Sequence, residues 1–223
     1  MGYKSVDQKI NNQQSIIYNP PRWLEWAREI QSLAQTGYHY SENDYHKERY
    51  HRLSEIAAEI ISEHSSLAYE PLVEIFSQQI GYATPRVDVR GVVFQDGKLL
   101  LVRERQDGGW TLPGGWADVG DTPSQSAERE VWEEAGFHVK ARRIIGAYDA
   151  NRVGPLEVFH AFKLVFLCEL IDGQPRPSSE TSEVAFFGAD EIPDVLSGER
   201  TRPRHIIDAF NVLANPDCPT VFD

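Results

Sequence analysis

The chain has 223 residues, 41% hydrophobic and 25% charged, which suits one catalytic-sized globular domain with a small appendage. No apolar run approaches the roughly 20 residues that span a bilayer, so no membrane partner is expected. With 34 acidic against 22 basic side chains, the formal net charge of −12 matches long nucleic acid poorly, because that binding rests on neutralising phosphates.

Residues 1–20 are polar and lack the apolar core of a secretory signal, so they read as an N-terminal tail and the expected compartment is the cytoplasm. "PRWLEWAREIQSLAQT" (21–36) starts with proline in a first-turn position and predicts an amphipathic helix that stops at Gly37. Tyr45, Tyr50, Leu53, Ile56, Ala57, Ile60 and Ile61 recur at helical spacing and predict a longer second helix over 41–64. "EPLVEIFSQQI" (70–80) predicts a third before "GYATP" breaks the pattern, so a small all-α domain is expected over 21–82. Three short helices make a thin core, and burying Trp23, Trp26, Tyr45 and Tyr50 calls for packing on the second domain or on another subunit. A homodimer is the expected assembly, with the helical part at its interface and forming a pocket wall.

From residue 83 to 223 the pattern becomes strand-like. "RVDVRGVVF" and "KLLLVRE" flank the turn "QDGK" and predict a hairpin. "EVFHAFKLVFLCEL" (157–170) is too long for a typical strand and predicts a bulge or bend. "SEVAFFGADEIPDVL" reads as a short strand leading into a helical turn, and "RPRHIIDAFNVLAN" (202–215) as a final helix. Cys168 and Cys218 fit no metal spacing or disulfide framework, and the first reads as a buried apolar thiol.

Between these elements lies "PGGWADVGDTPSQSAEREVWEEAGF" (113–137). A glycine loop runs through Gly120, Asp121 or Thr122 caps a helix with Pro123 just inside it, and Gly136 stops it. Ala127, Val131 and Ala135 share the face that packs on a sheet, while Glu130, Glu133 and Glu134 project together from another. Like charges 5–6 Å apart cost about 3 kcal/mol per pair at an effective dielectric near 20. A hard divalent cation, Mg²⁺ or Mn²⁺, removes that repulsion and prefers such carboxylate oxygens.

Gly115, Arg129, Glu130, Val131, Glu133, Glu134, Gly136 and Phe137, with this spacing, make the segment similar to the signature of the Nudix hydrolases. The family pattern has glutamate where this chain has Asp121, a shorter side chain suited to reaching a metal through water. The resemblance implies an α/β/α sandwich with a mixed sheet over residues 84–215, divalent-metal dependence and hydrolysis of a nucleoside diphosphate linked to another group. It implies that Glu130 and Glu134 are principal metal ligands, that Glu133 is a further ligand or a base, that the Gly115 carbonyl is a ligand, and that Arg129 orients the glutamates. The family often takes a base from a later loop, where this chain offers Glu180 and Glu183, and Glu180 is preferred.

For the substrate, Arg86, Asp88 and Arg90 share one face of "RVDVR". Arg90 either meets a phosphate or the box carboxylates, or forms a salt bridge with Asp88. Arg103, at a strand end, carries the same ambiguity, and Arg152 in "YDANR" has the fork geometry for a phosphate. Trp110 and Trp116 bracket the loop and either stack on a base or simply pack. His160 points either into the site or into solvent. The helical segment resembles the N-terminal domain of a Nudix subgroup that hydrolyses X-linked nucleoside diphosphates, including CDP-choline and ADP-ribose pyrophosphatases. The expected reaction is CDP-choline to CMP and phosphocholine, with ADP-ribose to AMP and ribose 5-phosphate as the alternative. RNA-end processing or nucleotide sensing is the alternative of another class.

Overall fold

The computed structural model describes residues 21–150, 158–198 and 200–223, and the expected tail at 1–20 lies outside them. The described residues fall into two compact units, one of residues 21–86 with 158–160 and the other of residues 87–150 and 161–223.

The first unit holds α1 (Arg22–Tyr40), α2 (Asp44–His64) and α3 (Tyr69–Ser77). Leu24 and Ala27 of α1, Ala57, Ala58 and Ile61 of α2, and Leu72 and Phe76 of α3 meet in its core. The alanines let the helix axes approach closely. The Asn43 side chain caps α2 by accepting from the Tyr45 N–H at 2.9 Å. α1 runs through Gly37, the predicted stop, because that glycine serves a contact instead. A β-carbon at position 37 would stand 2.2 Å from the Tyr50 ring of α2. α3 ends at Ser77, short of the predicted Ile80.

The second unit is built on a mixed eight-stranded sheet. Its strands are β1 (Arg86–Gln95), β2 (Lys98–Glu104), β3 (Trp110–Thr111), β4 (Gly114–Trp116), β5 (Phe137–Asp149), β6 (Ala161–Gly173), β7 (Thr181–Phe187) and β8 (Val221–Phe222). The order is β3-β2-β1-β6-β5-β8, with β4 on β1 and β7 on β2, and β8 joins β5 in parallel. The predicted β1–β2 turn forms at Asp96 and Gly97, both with positive φ, as a type I′ hairpin requires. β1 changes partner along its length: Phe94 and Gln95 face β2, while Asp88 to Arg90 face β4. This split brings the glycine loop to the sheet.

Alternation along β2 creates two cores. Leu99 and Leu101 pack with Ile206, Ala209 and Phe210 of α5 (Pro203–Ala214), while Leu100 and Val102 pack with Ala127, Val131 and Ala135 of α4 (Pro123–Ala135). Helices therefore cover both faces of the sheet, giving the α/β/α layering that the resemblance implies. β6 begins at Ala161, later than predicted, and its pairing with β5 shifts register three times, with the extra residues at Arg142 and Ile145 on β5 and at Ile171 on β6, just past the segment where a bulge was expected. Beyond β7 a turn closes with Glu191 N–H donating to the Gly188 carbonyl at 2.9 Å, in place of the predicted helical turn. No helix of the described residues is long and apolar enough to cross a membrane.

Candidate active site

α4 is fixed at both ends. The Thr122 side chain accepts from the Gln125 N–H at 3.3 Å, the Gln125 side chain accepts from the Thr122 N–H at 2.9 Å, and Gly136 ends the helix in a left-handed conformation. The apolar face of the helix is locked into the sheet, so the acids along its edge have set positions.

Their environments differ. Glu134 is buried, Glu130 half-buried and Glu133 exposed. Burial pushes the Glu134 carboxyl up to about 7, against the pull of Arg90 and of the Gly114 N–H, which donates to Glu134 Oε2 at 2.9 Å. Burial also raises the Glu130 carboxyl, opposed by Arg129. Gly115 lies against Glu130, and a β-carbon at position 115 would stand 2.9 Å from Glu130 Oε2. Only glycine leaves that carboxylate its place.

The repulsion inferred from sequence is offset here by Arg129. Its Nη1 donates to Glu130 Oε1 at 2.9 Å and to Glu133 Oε2 at 3.2 Å, and its Nε donates to Asp121 Oδ2 at 3.2 Å. Nη2 forms an ion pair with Asp118 Oδ2 at 3.0 Å. Asp121, the departure from the family pattern, thus engages Arg129. The donor set suits a hard divalent cation, since it consists of carboxylate oxygens around a backbone loop with room made by Gly115. Among the described residues no three carboxylates, imidazoles or thiols stand together as a ready ligand set. Arg129 holds Glu130 and Glu133, and the Gly114 N–H holds Glu134, instead.

The remaining predicted residues are spread more widely. Arg90 is buried, with Nε and Nη2 on the Asp88 carboxylate at 3.0 and 2.7 Å and Nη1 on the Leu112 carbonyl at 3.2 Å. Its charge also acts on Glu134. Arg103 donates to the Gly108 carbonyl at 2.9 Å and to Glu183 at 2.6 Å, bracing the β2–β3 loop. Trp110 packs edge-on against Phe187 with ring centroids 4.8 Å apart, at the margin of the α5-side core. Glu180 is exposed ahead of β7, and its carbonyl accepts from the Arg105 N–H at 2.9 Å. Arg86 and His160 belong to the helical unit, where the Arg86 guanidinium lies 3.9 Å from the Phe159 ring centroid and the Arg86 N–H donates to the His160 carbonyl at 2.9 Å. Arg152 lies outside the described residues. A cavity of about 450 Å³ opens in the helical unit beside Tyr38, Tyr50 and Phe76, and none of the acidic cluster lines it.

Two buried charged residues went unnoticed in the sequence. Lys163 on β6 lies 3.0 Å from Asp88 Oδ1 and donates to the Arg200 carbonyl at 2.7 Å, completing a buried trio with Arg90. Glu104, at the end of β2, is buried, and Arg200 Nε lies 3.1 Å from its Oε1 without the alignment of a hydrogen bond. Burial raises its carboxyl, while Arg200 and Arg90 pull it down. The signal was the period of two, which puts Glu104 in step with Leu100 and Val102, on the face that α4 covers.

Residues 84–210 match the family model described as NUDIX domain, and residues 21–76 match one described as UDP-X-like, N-terminal oligomerisation domain. A putative ADP-ribose pyrophosphatase, YjhB, of Bacillus subtilis is 36% identical over 203 residues, which cover 91% of this chain and 97% of that protein. Among solved structures, a UDP-X diphosphatase is 30% identical with a TM-score of 0.58, covering 90% of this chain and 98% of that one. An ADP-ribose pyrophosphatase of Streptococcus suis is 35% identical with a TM-score of 0.58, covering 63% of this chain and 100% of that one.

Proposed function

This chain belongs to the Nudix hydrolase family and is a pyrophosphohydrolase, and from that premise we propose that it cleaves a nucleoside diphosphate joined to a second group, with ADP-ribose as the preferred substrate and AMP and ribose 5-phosphate as products. The observation that carries the reading is the graded glutamate set on α4, held against Gly114 and Gly115. ADP-ribose stands ahead of CDP-choline for two reasons. The relative matched along nearly its whole length bears that substrate in its name. Trp110, one of the aromatics that a quaternary ammonium cage would need, is packed against Phe187.

Nudix hydrolases generally use divalent metals. In this reading Glu130 and Glu134 are the principal ligands of Mg²⁺ or Mn²⁺, with Glu133 and the Gly115 carbonyl beside them. When bound, the ion stabilises charge on the phosphate oxygens and lowers the pKa of the attacking water. The protein's part is positional. Gly114 N–H aims Glu134, and Asp118 and Asp121 give Arg129 partners besides Glu130 and Glu133, which would leave those two glutamates available to an ion. Glu180 is the proposed base that takes the water's proton. Arg90 is committed to Asp88 and Leu112, and we assign it to holding the loop rather than to a phosphate. Trp116, 44% exposed and next to Gly115, is the aromatic we assign to stacking on the base. A homodimer is the assembly we favour, in keeping with the oligomerisation model matched by residues 21–76.

The test is turnover of ADP-ribose, CDP-choline and other nucleoside diphosphate conjugates with and without Mg²⁺ or Mn²⁺, read by chromatography. Metal-dependent AMP from ADP-ribose as the dominant product supports the reading. CMP from CDP-choline alone would replace the substrate, and no turnover of any conjugate would remove the catalytic assignment in favour of RNA ends or sensing.

A further inference from the structure

The inward stripe of α2 runs on past the core that it helps to build. Ala57, Ala58 and Ile61 pack in that core. Tyr50, His51 and Ser54 each stand seven residues earlier, and Lys47 precedes Tyr50 and His51 by three and four, so all four share that side of the helix. α3 is nine residues long and stops at Ser77, and this earlier part of the stripe faces the cavity of about 450 Å³. Packing alone would select apolar residues on an inward stripe, yet Lys47, His51 and Ser54 are polar. The Glu55 carboxylate is met by Arg52 at 3.0 Å and by His51 at 3.4 Å. Half-buried Lys47 has no carboxylate partner among the described residues.

We propose that this cavity is a second ligand site, taking a nucleoside monophosphate whose base lies against Tyr50 and Phe76 and whose phosphate meets Lys47. None of the acids of α4 lines it, so the proposal goes beyond the catalytic reading and does not rest on it. The volume falls within the roughly 300–1,000 Å³ of small-molecule pockets, which combine apolar walls with a few converging polar groups. The apolar part is aromatic and firmly seated. Phe76 is buried, and the Tyr50 ring is pressed on Gly37 so closely that a β-carbon there would stand 2.2 Å from it. Ring faces suit a planar base, and a cation with no carboxylate of its own suits a phosphate. The rim is already in place. Gln35 Nε2 donates to the Gly81 carbonyl at 3.0 Å, which ties the segment carrying Gln79 and Ile80 to α1 beside the opening. A preformed cavity spares its ligand the cost of ordering the walls.

The experiment titrates the full chain with AMP by calorimetry in chelator, so that no divalent ion assists binding at the acids of α4. Lys47→Glu should weaken AMP binding about tenfold or more, because it sets a charge of the phosphate's own sign in the cavity. The fold tolerates this change, since glutamate forms helix well and an acid suits the start of α2. Arg49→Glu makes the same reversal on α2 at an exposed position that does not line the cavity, and should leave AMP binding unchanged. Ser54→Trp, which fills the space, should abolish this binding. Ribose 5-phosphate, which has no ring to stack, should bind about tenfold more weakly than AMP. No AMP binding, equal responses to the two reversals, or ribose 5-phosphate binding as tightly as AMP would overturn the site. A Lys47→Glu chain altered in sedimentation but not in AMP affinity would also overturn it, by giving the cavity to a contact between copies. Turnover is read separately: a chain that binds AMP through Lys47 yet hydrolyses no conjugate leaves this site standing and sinks the catalytic reading.

Discussion

Replacing Glu134 by Gln separates folding from chemistry at this site. The substitution keeps the shape of the side chain and a carbonyl oxygen for the Gly114 N–H, which donates at 2.9 Å, and removes the charge while turning the other oxygen into an amide donor. A carboxyl raised by burial from 4.5 to about 7 favours the fold while it is protonated. That advantage is complete below the unfolded value and is lost as the pH rises through the folded one. At 1.36 kcal/mol per unit the full effect is about 3 kcal/mol, and relaxation around the site reduces the expected value to about 1–3 kcal/mol. The metal-free Gln variant should therefore be more stable than wild type at pH 8 by that amount and close to it at pH 4.5. Urea titrations in chelator at the two pH values measure the difference. The same variant, loaded with Mn²⁺, should lose about 100-fold or more in turnover of ADP-ribose. A variant less stable than wild type at pH 8, or one that retains turnover, would refute the placement of Glu134 as a buried carboxylate kept for an ion.

Arg90→Met should cost about 3–5 kcal/mol in urea unfolding, because Asp88 keeps Lys163 but loses two of its hydrogen bonds in a buried setting; a loss under 1 kcal/mol would show the trio to be unimportant. Gly115→Ala should leave the melting temperature within a few degrees of wild type yet lower turnover about tenfold, since its β-carbon displaces the Glu130 carboxylate. Equal losses in stability and turnover would point to a general packing defect instead. Gly37→Ala gains about 1 kcal/mol of helix propensity but overpacks Tyr50, which costs about 1–3 kcal/mol. The net expectation is a destabilised helical unit, and a raised melting temperature would sink the close-contact explanation for α1 continuing through Gly37.

The box was readable because its chemistry is local. Thr122, Pro123, the acids and Gly136 lie within one helix and its caps, where spacing alone decides which side chains share a face. What spacing could not show was depth: the three glutamates look alike in sequence, yet one is buried and one exposed. The sheet and its two helical layers also followed from period and turn chemistry, down to the Asp96–Gly97 hairpin. Long-range partners did not. Gly37 carries the same letter whether it ends a helix or admits Tyr50 from 13 positions away. Arg90 offered two readings until Asp88, Lys163 and Leu112 closed around it. Glu104 followed the alternation of β2, which gives its face but not the Arg200 that meets it from far along the chain.

The Arg129 guanidinium, shared among Asp118, Asp121, Glu130 and Glu133, uncouples possession of an ion from possession of a fold. Small zinc modules collapse when stripped because the ion is the only compensation for their ligands. Here one compensating charge is covalently attached, one residue before Glu130, so part of the repulsion among these acids is offset by a neighbour without an ion. The order of the acidic edge of α4 is thus carried by the chain itself, through a side chain that reaches both the helix and the loop before it.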